Sequence, residues 1–199
     1  MITKEGRIYK ENGEIIKLPS VTEILNYYPK GEGFYRWLAT NGWNESERIK
    51  EEAGKRGGNI HSAIEKYLIT NEIEKELTSI EVDILNKFIK WFSELNQTKR
   101  VKIIGIEISG INREYNYVGT IDLILEIDGE VWIIDVKTSN YLHKSHNLQL
   151  SAYKHMYNDK AKIALLHIKD YCKFVEVEDK FDIFLAVKKI WEYENRRTN

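Results

Sequence analysis

One cysteine among 199 residues, Cys172, excludes an internal disulfide and any four-cysteine zinc or iron–sulfur site. Nor is there a long apolar run: nothing approaches the roughly 20 residues that span a bilayer. No signal-peptide pattern opens the chain, so no membrane partner and a cytoplasmic location are expected. Net charge is nearly absent, at -1. Proteins that hold long duplex DNA without sequence preference draw affinity from counterion release and are usually basic, so the balance argues against a large footprint and leaves a small one open. There is no Pro/Gly/Ser-rich linker, repeat or low-complexity segment, and one domain over residues 1–199 is the reading. What is present is ordinary for a globular protein: 42% apolar and 31% charged residues, enough for a single core.

The periodicity divides the chain into helical and strand-like stretches. Residues 7–17 read as a hairpin with Asn12-Gly13 at its turn. Ser20 and Glu23 have capping-box spacing and open a helix to about residue 28. A helical stretch over 34–55 carries a break at Asn41-Gly42. Gly57-Gly58 is expected to interrupt again before a helix from Asn59 to Leu68. Ser79 to Leu95 is the clearest amphipathic helix, with Ile80, Ile84, Leu85, Phe88, Trp91, Phe92 and Leu95 along one side. From Val101 the pattern becomes strand-like over 101–109, 115–127 and 131–137. A helix over 147–158, strands over 162–168 and 173–177, and a helix over 180–195 complete the chain. This predicts an α/β (α+β) fold: a central mixed sheet flanked by helices, with an N-terminal hairpin and helical segment over 1–60 and the core over 61–199.

The chemistry gathers in Gly119-Thr-Ile-Asp122, a hairpin around Asp128-Gly129, and Ile133-Ile-Asp135-Val-Lys137-Thr-Ser139. Antiparallel pairing about that turn brings Asp122 and Asp135 to the same end. Asp135 and Lys137, two apart, share a face. Two carboxylates and an ammonium on one sheet surface are costly as core and sensible as a divalent-metal site with a lysine beside the attacking water. That chemistry is phosphodiester hydrolysis.

Other residues are ambiguous alone. Glu107 sits in the strand VKIIGIEIS and reads as an edge-strand acid or a supporting ligand. His61 follows the paired glycines and alone reads as structural, with Glu65 one turn on to orient it. Gln149 and Tyr153 are four apart on one helical face beside the lysine strand. His143, Lys144, His146 and Lys154 form a candidate local basic patch, or a solvated loop. Cys172 is expected to be a buried or strand-end thiol without chemistry.

Together, GTIDLILEIDGEVWIIDVKTS and HNLQLSAYKHMY resemble the nuclease core of the PD-(D/E)xK superfamily, specifically its RecB-like exonuclease branch. PSVTEIL and RGGNIHSAIEKYL add to the resemblance, which runs from about residue 19 to 158. It implies a restriction-endonuclease-like core, with Asp122 and Asp135 as metal-binding acids and Lys137 as the catalytic lysine. It further implies His61 as an extra metal ligand, Gln149 and Tyr153 as residues that position the phosphate or DNA, and Glu107 as an acid that some members use. Ile121 stands where the superfamily name has proline, as is usual in this branch. The cysteines that hold an iron–sulfur cluster in some relatives are absent, so no cluster is expected.

Oxygen ligands from Asp122, Asp135 and the Val136 carbonyl suit one or two Mg²⁺ or Mn²⁺ ions, and the imidazole favours tolerance of Mn²⁺. The leading expectation is a metal-dependent DNase. It reads as an exonuclease at DNA ends or on single strands, of the stand-alone type encoded by phages and mobile elements (hence host cytoplasm if viral), with a recombination protein as partner. A structure-specific or CRISPR-adaptation-like endonuclease is the alternative on the same core. A catalytically inactive DNA-binding protein is a third reading, and such a chain would be expected to lose Asp122, Asp135 or Lys137. Oligomeric state is not legible.

Overall fold

The computed structural model describes residues 2–6 and 8–195; Arg7, first residue of the expected N-terminal hairpin, lies outside the described residues. Strand β1 (Ile2–Glu5), which the sequence pattern did not reveal, pairs antiparallel with β2 (Ile8–Glu11), and β2 with β3 (Glu14–Ile15). Asn12 and Gly13 both hold positive φ, 51° and 91°, as the tight hairpin turn requires. Ser20 then caps α1 (Val21–Leu25), its hydroxyl accepting from the Glu23 N–H at 3.1 Å. The expected reciprocal bond from Glu23 is not made, and Glu23 lines the groove described below.

Helix α2 (Glu32–Asn41) stops at Gly42, φ 74°, where the break was expected. The second expected break fails. Helix α3 (Trp43–Thr70) runs 28 residues straight through Gly57-Gly58, so residue 60 is the middle of a helix and not a boundary. A glycine inside a helix costs about 1 kcal/mol relative to alanine. Burial of Ile60, Ala63 and Ile64 on the sheet outweighs it, at roughly 1.5–3 kcal/mol for a large apolar side chain. Helix α4 (Ser79–Thr98) starts with a complete capping box between Thr78 and Glu81 and buries Ile84, Leu85 and Phe88. Ile80, expected on that face, is exposed in the first turn.

The central sheet has the order β4 (Val101–Asn112), β5 (Tyr117–Ile127), β6 (Glu130–Lys137), β7 (Lys162–Ile168), β8 (Cys172–Glu176). All neighbours are antiparallel except β6 and β7, which are joined by a crossover through α5 (Lys144–Tyr157). Helix α6 (Phe181–Asn195) closes the described chain. The inner strands are covered on both sides. Ile121, Ile133 and Leu165 pack under α1, α5 and α6; Leu123, Ile134 and Leu166 pack under α3 and α4. The small sheet docks on the large one through Tyr9 Oη, 3.2 Å from Thr120 Oγ1, while the Val118 N–H, bonded to the Pro19 carbonyl, ties in the segment before α1. This is the expected α/β architecture, a mixed sheet flanked by helices. Among the described residues no helix is long and apolar enough to cross a membrane.

Candidate active site and metal centre

The site forms where β5 and β6 stop pairing. Their ladder runs from the Asp128-Gly129 turn to Leu123↔Ile134 and ends there. Beyond it the Val136 N–H donates to Asp122 Oδ2 at 2.8 Å, so a carboxylate does what a strand carbonyl would otherwise do. Asp135 points into the same split and is 1% exposed. Lys137, two residues on along that face, donates to Asp135 Oδ1 at 3.0 Å. Its Nζ is also 2.8 Å from Oδ2, but without hydrogen-bond alignment, which leaves a buried carboxylate oxygen with no aligned donor.

Glu107 enters from β4 with an unusual backbone. Its φ is 49°, the left-handed region, inside a strand; for a residue with a Cβ this costs roughly 1–2 kcal/mol. The paired positions on either side, Ile106↔Leu123 and Ile108↔Ile121, set it opposite Asp122. From α3, His61 completes the group. Its Nδ1 is 3.6 Å from both Glu107 Oε1 and Asp122 Oδ1, and its Nε2–H donates to the Val136 carbonyl at 3.2 Å. One donor atom each from His61, Glu107 and Asp122 lies within 4.8 Å of the others. Asp135 is not in that triad, being held by Lys137.

The electrostatics follow from burial opposed by neighbours. Burial pushes Asp135 up to about 6, helped by the nearby Asp122 charge and opposed by Lys137. Burial would also raise Asp122, but His61, Lys137 and the Val136 N–H hold it below the usual carboxylate range. Burial would lower His61, yet Asp122, Glu107 and Asp135 carry it up to about 10. Lys137 is likewise raised, against burial, by Asp135 and Asp122. The raised pKa values of His61 and Lys137, and in part that of Asp135, report the negative potential of the crowded carboxylates, while Asp122 is held ionised by its cationic neighbours. Carboxylate oxygens, an imidazole nitrogen, a peptide carbonyl and a buried oxygen lacking an aligned donor form a donor set that fits a hard divalent cation.

Gln149 and Tyr153 face the site from α5, Gln149 Nε2 donating to Tyr153 Oη at 2.9 Å. Gly119 explains why the two motifs travel together. A Cβ there would sit 2.7 Å from Tyr153 Cε1 and 3.3 Å from Val21 Cγ2, so the glycine of Gly119-x-x-Asp122 makes room for the tyrosine ring.

His61, Glu107, Asp122, Lys137, Gln149 and Tyr153 line one groove of about 1150 Å³, walled by the N-terminal sheet, α1, α3, β4, β5, β6 and α5, with Asp135 and Val136 buried beside it. Of the wall residues, sequence reasoning missed Tyr9, Thr120, Ser109 and Gly54. Tyr9, Thr120 and Ser109 form a hydroxyl chain, with the Thr120–Ser109 step 3.0 Å long. Gly54, Gly57 and Gly58 share the groove wall with His61, and a Cβ on any of the three would meet nothing within 4 Å. Gly58, Gly57 and Gly54 stand three, four and seven residues before His61, a spacing that places them on one helical face and was the available signal. The carboxylates of Glu23, Glu65, Glu107 and Asp122 outnumber the ammoniums of Lys4 and Lys137 on the wall. Such a groove attracts cations before it admits a phosphate.

Two readings are corrected. Glu65 makes no hydrogen bond or ion pair to His61, whose ring turns toward Glu107, Asp122 and Val136. The basic patch, one of two alternatives for its residues, does not assemble: Lys154 pairs with Asp179 at 3.1 Å, and His143 caps α5. His146 is driven down to about 3 by burial and by nearby Lys137, so it is neutral. Cys172 behaves as expected, partly buried at a strand start with its thiol pushed up to about 12 by burial.

The model of the PD-(D/E)XK nuclease superfamily matches residues 34–170. No curated protein matches the chain. Among solved structures, one named SSO0001 is 19% identical, with a TM-score of 0.40, and 73% of each chain is covered. An alkaline exonuclease, LHK-Exo from Laribacter hongkongensis, is 10% identical with a TM-score of 0.39, covering 92% of this chain and 93% of its own.

Proposed function

Because this chain belongs to the PD-(D/E)XK nuclease superfamily, we propose that it is a Mg²⁺- or Mn²⁺-dependent deoxyribonuclease, acting as an exonuclease on DNA ends or single strands. The observation that carries the reading is the split between β5 and β6. There Asp122, Asp135, His61, Glu107 and the Val136 carbonyl converge beside Lys137 on an open groove. Asp122, Asp135, Val136 and His61 would hold the ion, with Glu107 as a further ligand. When bound, the ion supplies Lewis acidity toward the phosphoryl oxygens and a lowered pKa for water.

The chain's own groups do the rest. Lys137, kept protonated by its two acids, orients the nucleophilic water and offsets charge that grows on the phosphoryl group. The Gln149–Tyr153 pair positions the phosphate, and the bare glycine face of α3 lets a backbone pass close by. The acidic wall rejects a polyanion until cations neutralise it, so substrate binding is metal-dependent as well as catalysis.

The test uses linear single-stranded, linear duplex and closed circular DNA with Mg²⁺, Mn²⁺ or EDTA, beside Lys137→Ala. Metal-dependent loss of linear DNA alone, absent in the variant, is expected. Cutting of circles would move the protein to the endonucleases. No cleavage by folded protein with either metal would remove the enzyme reading.

A further inference from the structure

The loop that leaves the lysine strand carries a feature that the chemistry at Lys137 does not use. Tyr141 is 85% exposed, although it stands only four residues beyond Lys137. Leu142 beside it is 36% exposed, and Tyr171, in the β7–β8 turn, is 67% exposed. A tyrosine this exposed gains little burial energy from folding. The Tyr141 backbone is nevertheless tied to the strand beside Lys137. The His167 Nε2–H donates to the Ser139 carbonyl at 2.7 Å, and the Ser139 hydroxyl to the Tyr141 carbonyl at 2.9 Å. His167 itself sits opposite Lys137 in the parallel β6–β7 register.

The two turns meet through a cation. Lys169 Nζ lies over the Tyr141 ring, 5.9 Å from its centroid, and the Lys169 carbonyl accepts from Lys87 Nζ at 2.8 Å. Lys144 and Lys173 add exposed positive charge on the flanks, with Asp170 as the acid in the turn. The sign is opposite to that of the groove wall, where carboxylates predominate. By chain length Tyr141 is at most about 14 Å from Lys137, the span of about four stacked nucleotides.

We infer that Tyr141 and Tyr171, with Lys169 between the turns, form a stacking platform that holds a single-stranded DNA segment beside the groove containing Lys137. Aromatic faces take any base, and lysines beside them follow the backbone, which is how single strands are bound without sequence preference. Bases in duplex are already stacked and offer no free face, so the platform selects single strands. The inference rests on the nuclease reading for its substrate class, and the experiment separates the two.

Affinity for a labelled single-stranded oligothymidylate and for a blunt duplex is measured by fluorescence anisotropy with Mn²⁺ in a Lys137→Ala background, where the probe survives. Tyr141→Ala is expected to weaken single-strand binding about ten-fold, the worth of one stacked base, and to leave duplex binding unchanged. Tyr141→Phe should restore it, because stacking needs the ring and not the hydroxyl. Unchanged melting temperature verifies the fold. If the intact protein cleaves DNA but Tyr141→Ala and Tyr171→Ala bind single strands like the parent, the platform is wrong and the nuclease stands. Equal losses on both probes would also overturn it. Selective loss in a protein that cleaves nothing would keep the platform and remove the nuclease.

Discussion

The β5–β6 hairpin has two ends that obey opposite rules. At its turn, Asp128 and Gly129 take φ of 52° and 89°, as their residue types allow. The ladder there is regular, and Asp128 is satisfied three ways, by the Arg100 N–H at 3.0 Å, the Arg100 carbonyl at 2.9 Å and Lys99 at 2.8 Å. At the open end the ladder splits, a glutamate holds a backbone that suits glycine, and a carboxylate is buried with an oxygen that has no aligned donor. The contrast teaches where stability has been given up. The split ladder, the positive φ of Glu107 and the Asp135 oxygen without an aligned donor gather within reach of His61 and Asp122, where strain fits a site better than it fits the fold.

The largest expected effect comes from discharging the open end. Asp122→Asn or Asp135→Asn should lower hydrolysis by at least about 10²-fold. Melting followed by circular dichroism should show no loss of stability for Asp135→Asn, since the change removes a crowded buried charge while keeping its shape.

Glycine substitutions sharpen the comparison. Gly119→Ala forces a Cβ into the Tyr153 ring, with an expected cost of about 1–3 kcal/mol and a fall in activity as Gln149 and Tyr153 shift. Gly129→Ala strains a positive φ at the turn, costs about 1 kcal/mol and leaves activity per folded molecule unchanged. Equal effects on activity would erase the distinction between the ends.

The pH response of metal-free protein separates them again. The folded state raises His61 from 6.5 to about 10, so it binds this proton more tightly than the unfolded chain does. That contribution is whole below pH 6.5 and is lost as pH rises toward 10. Melting temperature over this window should fall more steeply in the parent than in His61→Asn.

The smallest effect has the most telling sign. Glu107→Gly should stabilise metal-free protein by about 1 kcal/mol or less, strain relief set against the entropy of glycine, while weakening metal binding. A loss of stability would mean that the backbone at Glu107 is not strained for the site.

How much of this the sequence disclosed follows the same division. Both Asn/Asp-Gly turns, the strands and the α4 face were legible because they obey local rules of period and turn chemistry. Asp135 and Lys137 were legible as a pair because alternation places them on one face. Gly57-Gly58 misled, because a glycine pair signals a break only where tertiary burial is weak, and Ile60, Ala63 and Ile64 make it strong. The approach of Glu107 to His61 was not legible, since it depends on a positive φ that no glycine announces. Strand β1 was hidden because it is short and mostly exposed.

The most direct test of the central claim is a calorimetric titration of Mn²⁺ into metal-free protein at pH 7, in two buffers of different ionisation enthalpy. The account predicts saturable binding of one or two ions, with proton release as His61 gives up its proton to a cation, and loss of that binding in Asp122→Asn. No saturable binding, or the same isotherm in Asp122→Asn, would contradict it: the open end of the hairpin would then be a structural irregularity and not a metal centre.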